Sequence, residues 1–127
     1  MIATLSAIAL GGAFGSVARY ALALYTDLLL GRDFPYGIFI VNVFGSLLIG
    51  ITFVLIVERS MLPEIWRSVV IVGFLGGFTT FSTFSIHAVQ MLLDGRLLAA
   101  SFYIIGSVVL SMIGAFIGIT GARYLVS

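Results

Sequence analysis

The sequence predicts an all-α integral membrane protein: four transmembrane helices, the third of them broken, paired as an antiparallel dual-topology homodimer. Three observations predict it. The 127 residues are 61% hydrophobic and 9% charged, against about 25% charged in a soluble domain. Mean hydropathy is +1.27. Four apolar stretches, about 2–26, 36–57, 66–93 and 97–124, each reach the roughly 20 residues that a bilayer crossing needs. They use up nearly the whole chain, so residues 1–127 form a single four-helix transmembrane domain with short loops. The first stretch exceeds the apolar core of a signal peptide and carries no cleavage-site pattern. There is no cysteine, one histidine and five carboxylates. A metal cluster or catalytic triad is hard to assemble from these, so the chain is not expected to be an enzyme.

The first span carries Gly11, Gly12, Gly15, Ser16 and Arg19. Gly11 and Gly15 form a small-xxx-small pair that lets helix backbones approach closely. Arg19 follows one turn later. It either snorkels to the interface or acts inside the bundle, as a paired charge or as a positive charge drawing anions to a vestibule. A polar loop with Asp27, Arg32, Asp33 and Pro35 precedes the second span. There Asn42 and Ser46, four residues apart, share one helix face. The amide is either interhelical glue or a double donor to an anion. Glu58, Arg59, Pro63 and Glu64 mark the next loop, with Trp66 as an interface anchor.

The third span holds Gly73-Phe74-Leu75-Gly76-Gly77-Phe78-Thr79-Thr80-Phe81-Ser82-Thr83-Phe84-Ser85. Each glycine costs a helix roughly 1 kcal/mol relative to alanine, and a run of hydroxyls follows. Backbone freed by a break in lipid must be satisfied by protein, water or an ion. The segment reads as a broken helix that lines something polar. Phe81 and Phe84 share a face, either as packing or as pore lining, and His87 lies one turn further along it. Asp94-Gly95-Arg96 reads as a tight turn. The fourth span shows a stripe of Tyr103, Ser107, Ser111, Gly114, Gly118 and Gly121 at helical spacing, half polar track and half close packing.

Charge placement bears on assembly and on function. With four spans, Arg59, Arg67 and Arg123 fall on one side of the membrane, and Arg32, Arg96 and Arg19 on the other. There is no lysine. Orientation follows the asymmetry of Lys and Arg near span ends, so a balanced chain inserts both ways, unless one arginine dominates and fixes it. Two opposed copies form an antiparallel homodimer with its axis in the membrane plane. Every carboxylate lies at a span end or loop. This argues against a proton-coupled multidrug-type exporter and against a cation channel with acidic rings. A non-transporting membrane assembly protein is the other alternative. What remains mid-membrane is hydroxyl, amide, one arginine and aromatic rings, whose edges are positive. These suit a narrow passive path for a small anion.

These residues resemble the Fluc/CrcB fluoride channels over essentially the full length. The resemblance is carried by Gly11-Gly12-Ala13-Phe14-Gly15-Ser16-Val17-Ala18-Arg19-Tyr20, by Pro35-Tyr36-Gly37, by Val41-Asn42 with Gly45 and Gly50, by the third-span motif, and by Tyr103 and Ser107. It implies a dual-topology dimer with two pores that export cytoplasmic fluoride passively across a bacterial inner membrane. It implies Asn42 as a pore asparagine, and Phe81 and Phe84 as a pair whose edges face fluoride. Ser82, Thr83, Tyr103, Ser107 and Ser111 would lie along or beside the polar track. It also implies a structural sodium ion held by the backbone carbonyls of Gly76 and Thr79. The expected partners are a second copy, the bilayer and fluoride, and not nucleic acid. Two residues past Ser85, where some relatives carry glutamate, stands His87.

Overall fold

The computed structural model describes all 127 residues. Four helical spans, Ile2–Leu30, Tyr36–Glu58, Arg67–Leu93 and Leu97–Val126, are long and apolar enough to cross a membrane. The first is one α-helix, α1 (Ile2–Leu30). The second is α2 (Tyr36–Thr52), prolonged by a π-helical stretch, Phe53–Glu58. The third begins as a π-helix, Arg67–Leu75, passes into a single turn, α3 (Gly76–Phe78), and resumes as α4 (Phe81–Leu93). The fourth is α5 (Leu97–Val126).

Two boundaries differ from the sequence reading. The first helix runs on to Leu30 instead of ending near residue 26. Asp27, expected in a loop, stays helical, and its Oδ1 accepts the Gly37 N–H at 3.0 Å. That amide is one of the orphan donors at the start of α2, so the carboxylate serves the neighbouring helix. Arg19 therefore lies roughly 16 Å from its helix end, counting 1.5 Å per residue. At the other end of the chain α5 extends to Val126. The Asp94-Gly95-Arg96 turn forms as expected, with Gly95 at φ 77°, in the left-handed region.

The helices pack as two pairs, α1 against the first half of the third span and α2 against α5. Glycines make both seams. Gly11 and Gly15 lie against the carbonyls of Val69 and Phe74, and Gly77 against Gly12. Gly50 and Gly118 meet each other across the second seam. Gly121 departs from the predicted stripe: it is exposed, with open space where a Cβ would go, and Ala122 takes the buried position. Gly15→Ala is therefore expected to lower stability by roughly 1–3 kcal/mol, because its methyl collides with rigid backbone. Gly121→Ala should stay within about 0.5 kcal/mol of the parent. Thermal unfolding in detergent checks both.

A small core, Ile38, Phe84, Ala88, Met91, Ala100 and Tyr103, sits between α2, α4 and α5. The loop 31–35 and the turn 94–96 share one end of the bundle. An ion pair between Glu58 and Arg123 ties the second and fourth spans at the other end.

Candidate functional site

The third span breaks at Thr79 and Thr80, both extended, with φ/ψ of −85°/155° and −150°/119°. This corrects the location read from the glycines. Gly73, Gly76 and Gly77 are all helical, and Gly73 and Gly77 are used for close approach to α1. Where the helix resumes is set by the N-cap chemistry of Thr80. Its Oγ1 accepts the Thr83 N–H at 3.2 Å, which is how a threonine starts a helix.

The backbone released by the break is met by one side chain 38 residues away. Asn42 Oδ1 accepts the Thr80 N–H at 2.8 Å, and Asn42 Nδ2 donates to the Thr80 carbonyl at 3.0 Å. Asn42 thus does for Thr80 what a neighbouring peptide does in a sheet. Two carbonyls lose their helical donors. The Thr80 N–H, which an unbroken helix would aim at the Gly76 carbonyl, goes to Asn42. The Thr83 N–H, which would serve the Thr79 carbonyl, goes to Thr80 Oγ1. Gly76 lies on the exposed face of the bundle.

Beside the break lies a cavity of about 460 Å³. Its wall brings together Asn42, Phe81, Phe84, Ser107 and Ser111 from the predicted pathway, with Gly76 and Thr79 from the predicted ion site. Ser46 and Thr80 join them, and no lining residue is ionisable. The sequence reading did not place Thr80 in the site. The Thr-Thr pair before an apolar helical run was the N-cap signal that marked it. Three predicted pathway residues stand off the wall. Ser82 is exposed, with Oγ 3.3 Å from Thr80 Oγ1. The hydroxyl of Thr83 accepts from Thr80 Oγ1 at 3.1 Å. Tyr103 is fully buried behind the wall. Arg19 is half-buried, away from the cavity, and makes no ion pair within the chain.

An aromatic file leaves the cavity. Ring centroids step from Phe81 to Phe84 over 5.5 Å, from Phe84 to Tyr103 over 5.2 Å, and from Tyr103 to His87 over 6.3 Å. Along it, Ser107 Oγ, Tyr103 OH and His87 Nδ1 are buried with no hydrogen-bond partner in the chain. Buried polar atoms are rarely left unpaired, so a ligand or water belongs there. The file ends in a second cavity of about 580 Å³, lined by His87, Gln90, Asp27, Arg32, Asp33, Asp94 and Arg96 among others.

The family model described as CrcB-like protein, Camphor Resistance (CrcB), matches residues 6–119. A protein of Coxiella burnetii named fluoride-specific ion channel FluC is 44% identical over 119 residues, covering 93% of this chain and 96% of the relative. A FluC of Geobacter sulfurreducens is 44% identical over 122 residues, 96% of this chain and 98% of the relative. One of Nitrobacter winogradskyi is 45% identical over 119 residues, 94% of each. With a match that leaves only a few residues free at either end, and relatives aligned nearly end to end, this membrane protein belongs to the CrcB family.

Proposed function

We propose that the chain is a fluoride-specific channel that lets the ion leave the cell passively. The observation that carries this reading is the uncharged cavity beside the break. Its wall is largely apolar, with Ile49, Ile71, Leu75, Val108 and Met112, and set into it are hydroxyls, an amide and two aromatic rings. A small anion that sheds water needs hydrogen-bond donors and positive ring edges to replace it. A cavity without a carboxylate has nothing to couple the ion to protons. The near full-length likeness to proteins named fluoride-specific ion channels supports the same reading.

In this reading Asn42, Phe81, Phe84, Ser107 and Ser111 line the path, and Tyr103 continues it. Ser82 and Thr83 hold the Thr80 hydroxyl in place from behind. The carbonyls of Gly76 and Thr79 fit a structural sodium ion, because both have lost their helical donors and oxygen dipoles suit an alkali cation. Bound there, the ion would neutralise carbonyl dipoles and tie the break of one copy to that of the next. The working unit is an antiparallel homodimer in the bacterial inner membrane. Two features support it: the balanced arginines, and Phe81, which is 78% exposed in a single copy although it borders the cavity. A second copy would cover it.

Fluoride efflux from liposomes holding the purified protein tests the function. Rapid loss of trapped fluoride to an ion-selective electrode is expected, with chloride retained. Trapped fluoride held as well as in protein-free liposomes would end the proposal. C-terminal reporters should appear on both membrane faces, and a single orientation would remove the antiparallel dimer.

A further inference from the structure

We propose that His87 is the terminal anion station of the pathway and makes fluoride flux rise as pH falls. The inference rests on the channel reading above. Geometry places His87 there in two ways. It ends the file of rings that runs from Phe81 through Phe84 and Tyr103. Its Nδ1 is the last of three buried, unpartnered polar atoms between the two cavities, after Ser107 Oγ and Tyr103 OH. Three orphaned polar atoms on side chains that link two cavities are groups that water or an anion would satisfy.

The second cavity decides what a proton on His87 does. The charged groups facing it are Asp27 from α1, Arg32 and Asp33 from the loop, and Asp94 and Arg96 from the turn beyond α4. The α2 helix contributes none, and α5 contributes the neutral Tyr103. Three carboxylates face two guanidinium groups, so with neutral histidine the mouth is net negative by one charge. That sign opposes an arriving anion. Protonation of His87 cancels it and turns an acceptor nitrogen into a donor. Histidine makes that change between about pH 5 and 8. A charge at the mouth of a pathway acts on local ion concentration, and so on rate.

The test is fluoride efflux from liposomes with equal pH on both sides, corrected by protein-free liposomes for leakage of undissociated acid. The parent protein is expected to run about three- to tenfold faster at pH 5.5 than at pH 8. His87→Gln, which cannot titrate, should lose that slope. A flat parent profile, or the same slope in His87→Gln, overturns the inference and leaves the channel reading intact. No fluoride flux from the parent at any pH overturns both. A second measurement does not depend on the variant folding. The chain has one histidine, so a ring-labelled sample gives one NMR titration. If the imidazolium binds fluoride, linkage requires fluoride to raise the titration midpoint. A midpoint unmoved by fluoride overturns the proposal.

Discussion

Asn42→Ala is expected to lower fluoride efflux roughly a hundredfold. Asn42 is the single side chain that satisfies both the N–H and the C=O of Thr80. Truncation leaves two polar backbone groups without their side-chain partner, at about 1–3 kcal/mol each. If some 2–3 kcal/mol of this appears in the barrier at the conducting site, the rate falls by about two orders of magnitude. The amide also borders the cavity, so the loss of a donor to the ion adds to the effect. Asn42→Asp is a second test. It keeps an acceptor for the Thr80 N–H but loses the donor to the Thr80 carbonyl, so only one of the two bonds is retained. It puts a negative charge on the anion path, so efflux should fall as far as in Asn42→Ala. Electrode recordings from liposomes, with size-exclusion chromatography for assembly, check both variants. Parental efflux from either would remove Asn42 from the path.

Phe81→Ile is expected to slow efflux at least tenfold without loss of the folded protein. Isoleucine keeps apolar bulk but has no ring edge to offer an anion. Phe81 is 78% exposed in one copy, so little intramolecular packing is disturbed. Phe81→Met, flexible and polarisable, should keep more flux than Phe81→Ile. Phe84 is a less clean test. It is buried in the core cluster and lies 5.2 Å from Tyr103. Phe84→Ile should therefore slow flux and also cost up to about 1.5 kcal/mol of stability. If Phe81→Ile conducts like the parent while remaining dimeric, the ring is a packing residue and the edge mechanism is wrong.

The spans were legible because twenty apolar residues in a row admit few other readings. The break was legible in kind but misplaced by a few residues. Glycine weakness is a local propensity, and here the requirement of helix packing overrode it. Gly73 and Gly77 face α1, where a helix is needed, while the cap at Thr80 sets where the next helix starts. The pairing of Asn42 with Thr80 was not legible, since nothing local joins residues 38 apart. The π-helical stretches were equally hidden, because their wider turns depend on neighbouring helices. The stripe on the fourth span holds from Tyr103 to Gly118, then drifts to Ala122, as a 3.6-residue period does over several turns. The charge of Asp27 points to a loop. The amide of Gly37 gives that charge a reason to stay on a helix.

The bond pair between Asn42 and Thr80 has an electrical consequence. A break in a membrane helix is usually pictured as a hinge, free to swing and so to open or shut. Here the N–H and the C=O of Thr80, which belong to two successive peptide groups, are both fastened to one side-chain amide. A conduit with fixed walls behaves as a resistor and not as a valve: current follows the gradient across it at every moment. The charge proposed for His87 would set the value of that resistance.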